Sequence, residues 1–95
     1  GFINAKQSAE LAEIYELNIA PHNPASHLAT FQSAHLTASV SNVRIMESDI
    51  DSPLWRDELV SAVPEIIDGH MTIPTSPGWG CDLNEEIARK HALTG

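Results

Sequence analysis

Leu17-Asn18-Ile19-Ala20-Pro21-His22-Asn23-Pro24 decides how the rest of this 95-residue chain is read. Its first four residues are a short, mostly apolar run. Pro21 ends the run, because proline has no N–H to give to a neighbouring strand. A histidine follows at once, and Pro24 biases Asn23 toward an extended backbone. The pattern predicts a short buried strand over 17–20 that opens into a turn-rich loop over 22–27. A second run, Val43-Arg44-Ile45-Met46-Glu47, predicts another strand, and this one closes on a carboxylate.

Working outward, Ala5, Ala9 and Ala12 with Leu11, Ile14 and Tyr15 recur at spacings of three and four. That spacing predicts a helix capped by Asn4 and running to Glu16. Between the two strands, Leu28, Phe31, His35 and Ala38 share one face, with Ala29, Leu36 and Val40 beside it, so a second helix is expected from Leu28 to Ser39. Helix, strand, helix, strand is the rhythm of a parallel α/β sheet. Two parallel strands must have both faces covered and their edges paired. The residues therefore read as a slice of a larger α/β architecture. Beyond the second strand, residues 48–53 are loop-like, and Pro53 suits the first turn of a short helix through Leu59. Glu65-Ile66-Ile67 and His70-Met71-Thr72-Ile73 flank Asp68-Gly69, a dipeptide that favours the positive φ of a type I′ hairpin turn. Residues 74–80 form a proline- and glycine-rich loop, and Asp82 is placed to cap a last helix from Leu83 to His91.

Composition narrows the function classes. Hydrophobic residues make up 42% and charged residues 19%, an ordinary globular mix without repeats or low-complexity segments. Five basic against thirteen acidic residues leave a net charge of -8. That argues against nucleic acid or an anionic membrane as partner, since both need a Lys/Arg-rich face. No apolar run approaches the roughly 20 residues that span a bilayer, and the first residues lack the pattern of a signal peptide. Cys81 alone makes no internal disulfide framework. The expectation is a soluble, acidic, cytoplasmic protein.

Reactive groups in a parallel α/β fold gather where strands end and loops begin. His22 and Glu47 both fall there, and neighbouring strands would bring them to the same rim. A histidine can move a proton either way near neutral pH, and a carboxyl group can accept or donate a hydrogen bond according to its protonation state. The bland alternatives are a histidine capping a strand end and a solvated loop carboxylate. His27 suits a pocket wall or a surface helix start equally. His35, on the apolar helix face, suits a buried histidine with one hydrogen bond. His22, His27, Glu47 and Asp49 include suitable zinc ligands but show no ligand spacing such as HxxxH or CxxC. Cys81 has no local His or Lys to activate it. Trp55 and Trp79 are packing anchors or pocket walls, and Pro77-Gly78-Trp79-Gly80 does not lead into a helix as a phosphate loop does.

Ala20-Pro21-His22-Asn23-Pro24, Leu28-Ala29-Thr30, Arg44-Ile45-Met46-Glu47 and Pro77-Gly78-Trp79-Gly80, in that order, resemble the C-terminal part of the enolase superfamily. The nearest subgroup is the mandelate-racemase-like acid-sugar (galactonate-type) dehydratases. The resemblance implies a fragment of a modified (β/α)7β TIM-type barrel, with residues 17–21 as its seventh strand and 43–47 as its eighth. Residues 1–60 would be the last βα units, and residues 61–95 a hairpin, loop and helix returning toward a capping domain. His22 then matches the catalytic histidine of strand seven. Glu47 matches the strand-eight glutamate that hydrogen-bonds the substrate carboxylate as it becomes an enediolate. Asn23 is implied as a substrate-binding neighbour that orients the histidine. The resemblance also implies Mg2+, with its acidic ligands and the aspartate partner of the histidine upstream of Gly1, so no metal ligand is expected among these residues.

The leading expectation is part of a magnesium-dependent lyase that removes the proton α to a carboxylate and eliminates water, giving a 2-keto-3-deoxy sugar acid. It would work with the upstream part of the same enzyme, in a dimer or octamer. A racemase or epimerase shares the α-proton step. A non-catalytic α/β interaction module is the alternative from a different class.

Overall fold

The computed structural model describes residues 1–24, 26–51 and 53–93. The expected loop residues Ala25 and Ser52, and the terminal Thr94 and Gly95, lie outside the described residues.

Helix α1 spans Phe2–Ile14, with Gly1 rather than Asn4 at its N-cap. The Ala5 N–H already reaches the Gly1 carbonyl at 3.1 Å, so helical bonding begins before Asn4. At the other end Leu17 N–H bonds the Ala12 carbonyl at 2.9 Å and Glu16 N–H bonds that of Glu13 at 2.9 Å. With Glu16 at φ 56°, this is a Schellman stop, in which one left-handed residue turns the chain out of the helix. The helix therefore ends at Ile14, before the expected Glu16.

Helix α2 spans His27–Ala38 and is capped by Ser26, whose hydroxyl accepts the Ala29 N–H at 3.4 Å. Its buried face is Thr30, Phe31, Ala34 and Leu36, rotated from the expected Leu28, Phe31, His35 and Ala38. Ala38 is exposed and His35 only half-buried.

Between and after these helices the two expected strands meet in parallel at a single point, Ile19 opposite Val43. Ile19 N–H bonds Asn42 O and Arg44 N–H bonds Ile19 O, both at 2.8 Å. Neither segment has a further strand partner among the described residues, so regular pairing does not extend along 17–20 or 43–47. Leu17, expected to be buried, is exposed for the same reason. Asn42 holds the junction from beneath. It is buried, and its side-chain Nδ2 donates to Ala9 O and Leu17 O, each at 2.9 Å.

The C-terminal third folds back on this unit. Pro53 caps a 3-10 turn, Leu54–Leu59, rather than lying within it. Strands β1 (Ile66–Ile67) and β2 (His70–Met71) form the expected hairpin, shorter than its sequence suggested. Asp68 (φ 51°) and Gly69 (φ 76°) both take the positive φ that its turn demands. Helix α3 spans Glu85–Lys90 with Asn84, not Asp82, as N-cap. Asp82 and Leu83 are already used: Ser61 N–H bonds Asp82 O at 2.9 Å, beside an antiparallel bridge between Val60 and Leu83. Trp79 ties the intervening loop to both long helices, its ring 5.3 Å from Phe2 and 5.7 Å from His35. The core is small: Ala9, Phe31, Ala34, Leu36 and Val60.

Candidate functional site

Past the Ile19–Val43 bridge, the chain leaves both segments at the same end and stays tied across them. Glu47 N–H donates to Pro21 O at 3.3 Å. Asn23 N–H donates to the Glu47 carboxylate at 3.1 Å, and the Asn23 side-chain Nδ2 donates to the Glu47 carbonyl at 3.2 Å. These bonds keep the two segments tied out to residue 23, one residue out of step with the Ile19–Val43 pairing, and they bring His22 Nδ1 to 2.5 Å from Glu47 Oε2. The two residues expected at one rim are thus in direct contact.

The Asn23 backbone N–H, and after it the His22 ring, hold the Glu47 carboxyl below the usual carboxylate range, against a weaker upward pull from desolvation. Glu47 is therefore ionised at neutral pH and can only accept. That makes His22 Nδ1 the donor of their shared hydrogen bond and leaves Nε2 as the ring nitrogen not engaged with Glu47. The pair stands open to solvent, with the His22 side chain 77% exposed and that of Glu47 54%. Its mutual attraction is consequently screened and orients the two groups more than it stabilises the fold. A cavity of about 280 Å³ adjoins His22, with Phe2, Ala5 and Leu36 among its walls.

Asn23 lies differently from the expectation. It is 2% exposed, and its side-chain donors go to Glu47 O and to Thr30 Oγ1, the latter at 2.9 Å. Its contacts run to the glutamate rather than to the histidine ring. The remaining histidines belong elsewhere. His27 Nε2 meets Asp57 at 2.7 Å, and His35 Nε2 donates to Trp79 O at 3.2 Å. Asp49 is engaged with Arg56, whose guanidinium donates to Asp49 O at 3.0 Å. Of the four residues considered as zinc ligands, His22 and Glu47 meet, while His27 and Asp49 are engaged elsewhere. Among the described residues no three His, Cys, Asp or Glu side chains converge as a metal site. Burial, then the Asp82 charge, push the Cys81 thiol up, so it is protonated at neutral pH. Trp55 stacks on His91 at 4.2 Å, a packing contact.

Thr30, Asn42 and Arg56 are buried polar groups that the sequence reading passes over. Thr30 carried a weak signal: it adjoins Phe31 and lies four residues before Ala34, on what proves to be the inward face.

The family model described as "Enolase C-terminal domain-like" matches residues 1–87. The chain belongs to that family. A D-xylonate dehydratase of Haloferax volcanii is 32% identical over 95 residues, covering 100% of this chain and 23% of the relative. A D-galactonate dehydratase family member of Musicola paradisiaca is 31% identical over 97 residues, again with 100% and 23% coverage. Among solved structures, a provisionally named L-alanine-DL-glutamate epimerase of Burkholderia xenovorans strain LB400, bound to magnesium and fumarate, superposes with a TM-score of 0.90 at 43% identity. That match covers 96% of this chain and 23% of the other. A mandelate racemase/muconate lactonizing enzyme from Jannaschia sp. CCS1 gives a TM-score of 0.86 at 33% identity over 100% of this chain and 24% of its own. The chain spans about a quarter of these relatives' length. Its fold is that of a C-terminal fragment of the enolase-type barrel, with the Ile19 and Val43 segments as the last two strands.

Proposed function

We propose that these residues are the C-terminal quarter of an acid-sugar dehydratase, and that His22 and Glu47 work at its substrate. The observation that carries this reading is the His22 Nδ1–Glu47 Oε2 contact of 2.5 Å at the shared end of two parallel segments. The dehydratases named among the relatives, each matched along the whole chain, support the choice of reaction. A proton α to a carboxylate is weakly acidic, so its removal needs a positioned base and a stabilised enediolate. Loss of the 3-hydroxyl with one proton then releases water and an enol, which tautomerises to the 2-keto-3-deoxy acid. His22 Nε2 is placed to exchange a proton with the substrate while Nδ1 is held. Glu47 is ionised in the resting pair and takes its place at the substrate carboxylate, where it donates once the Nδ1 proton has passed to it as the ring gains the α-proton at Nε2.

Magnesium, implied by the family, finds no ligand set among the described residues. Its ligands belong to the upstream polypeptide. The same upstream part would cover the open faces of these residues, and residues 61–95 would pack toward its capping domain. Epimerisation remains the second reading, favoured by the 43% identity to the epimerase-named structure.

The test is turnover by the complete enzyme with magnesium on a panel of sugar acids, comparing parent with His22→Asn. Dehydration by the parent and a loss of about 10²–10⁴-fold in the folded variant are expected. Solvent-deuterium exchange at the α carbon without elimination supports the epimerase reading. Turnover unaffected by His22→Asn defeats both.

A further inference from the structure

Thr30 is the largest fully buried side chain of the described residues, 1% exposed in the first turn of helix α2. A hydroxyl so placed must have its hydrogen bonds met, and it does. Thr30 Oγ1 donates to the Ser26 carbonyl one turn earlier at 3.3 Å. With its proton used there, the oxygen offers a lone pair to Asn23 Nδ2 at 2.9 Å. The second proton of that amide goes to the Glu47 carbonyl at 3.2 Å. A carbonyl can only accept, so Nδ2 must face Glu47 and the amide has one orientation. Held in this way, residue 23 aims its backbone N–H at the Glu47 carboxylate, 3.1 Å away.

We propose that Thr30 is a positioning residue: through the Asn23 amide it fixes the backbone N–H that aims the Glu47 carboxylate. It touches no substrate and acts two side chains away, from helix α2. The inference rests on the reading that Glu47 belongs to the site. What sets this hydroxyl apart from one merely satisfied within its own helix is its second partner, the Asn23 amide that also holds the Glu47 carbonyl. The downward pull on the Glu47 carboxyl, led by the same Asn23 N–H, accords with this arrangement.

The experiment compares Thr30→Val, Thr30→Ser and Thr30→Ala in the complete enzyme. Valine keeps the shape and removes the hydroxyl, serine keeps the hydroxyl, and alanine differs from serine by the hydroxyl alone. Expected for valine are a fall in kcat of about tenfold, KM within about twofold, and an acid limb of the pH profile moved to higher pH. Serine restores kcat and the limb, even with reduced stability. If valine fails to fold, the serine–alanine pair carries the same comparison. Carbon-13 titration of the Glu47 side chain, with His22 intact, supplies a readout independent of turnover. Should the parent dehydrate no sugar acid, the proposed function fails, while an upward shift of the Glu47 titration in the hydroxyl-free variants still upholds the relay. Variants that lose activity only in step with stability, with the limb and the Glu47 titration unmoved, overturn it.

Discussion

Glu47 is gripped from three directions, by the Asn23 backbone N–H, the His22 ring and the Asn23 side chain on its carbonyl. Because the first two favour its anion, its folded pKa lies below the ordinary range. A depressed carboxyl stabilises the fold above the unfolded-state pKa, and that contribution is lost as pH falls through the folded value. In the complete enzyme, Glu47→Gln should therefore lie below the parent in urea midpoint at pH 7. The gap should close as pH falls through and below the carboxylate range. A gap equally wide in acid would mean that the anion is not what the structure holds. At this scale the sequence is uneven. His22 and Glu47 are legible because a strand end announces itself through proline and a change from apolar to polar. Thr30 and Asn42 are not, since a hydroxyl or amide turned inward has no periodic signature, and the partners of Asn42 also lie far along the chain.

Among the elements, the turns follow their local chemistry most closely. Asp68-Gly69 makes the hairpin it predicts because the two positive φ values are a backbone matter settled within two residues. The strands do worse, since a strand is completed by neighbours that sequence spacing does not supply. Gly80 shows the difference between local and tertiary demands. Both Gly69 (φ 76°) and Gly80 (φ 81°) lie in the left-handed region. A Cβ on Gly69 would meet open space, whereas one on Gly80 would run into the Pro74 ring. Gly69→Ala should cost about 1 kcal/mol, from backbone strain alone. Gly80→Ala should cost more, about 2–3 kcal/mol, as the proline-rich loop shifts. Denaturant midpoints of the two variants in the complete enzyme decide this. Equal losses would show that the Pro74–Gly80 approach relaxes freely.

Taken whole, the molecule exposes more than a chain of its mass should. Its accessible surface is 6910 Å², where a folded monomer of 10.3 kDa is expected to show about 5,400 Å². Its radius of gyration of 14.6 Å likewise exceeds the about 12 Å of a compact domain this long. The surplus of about 1,500 Å² is nearly twice the about 800 Å² that each partner of a standard protein interface buries. Much of it is apolar: Ile3, Leu11 and Ile14 stand outward on α1, and Leu17 and Ile45 stand beside the two bridged residues. A patch of this kind on an isolated chain should bind other apolar matter. The 95-residue chain produced alone should therefore enhance ANS fluorescence strongly, self-associate in sedimentation and unfold in urea without a sharp transition. Adding the upstream polypeptide, produced separately, should quench the dye, convert the mixture to one defined complex and restore a cooperative transition. A monomeric chain with sharp unfolding and no ANS signal would reverse the argument. It would show that the buried core of the described residues, with the Asn42 Nδ2 and the Thr30 hydroxyl bonded beneath it, suffices on its own, and that the outward apolar stripe of α1 needs no partner.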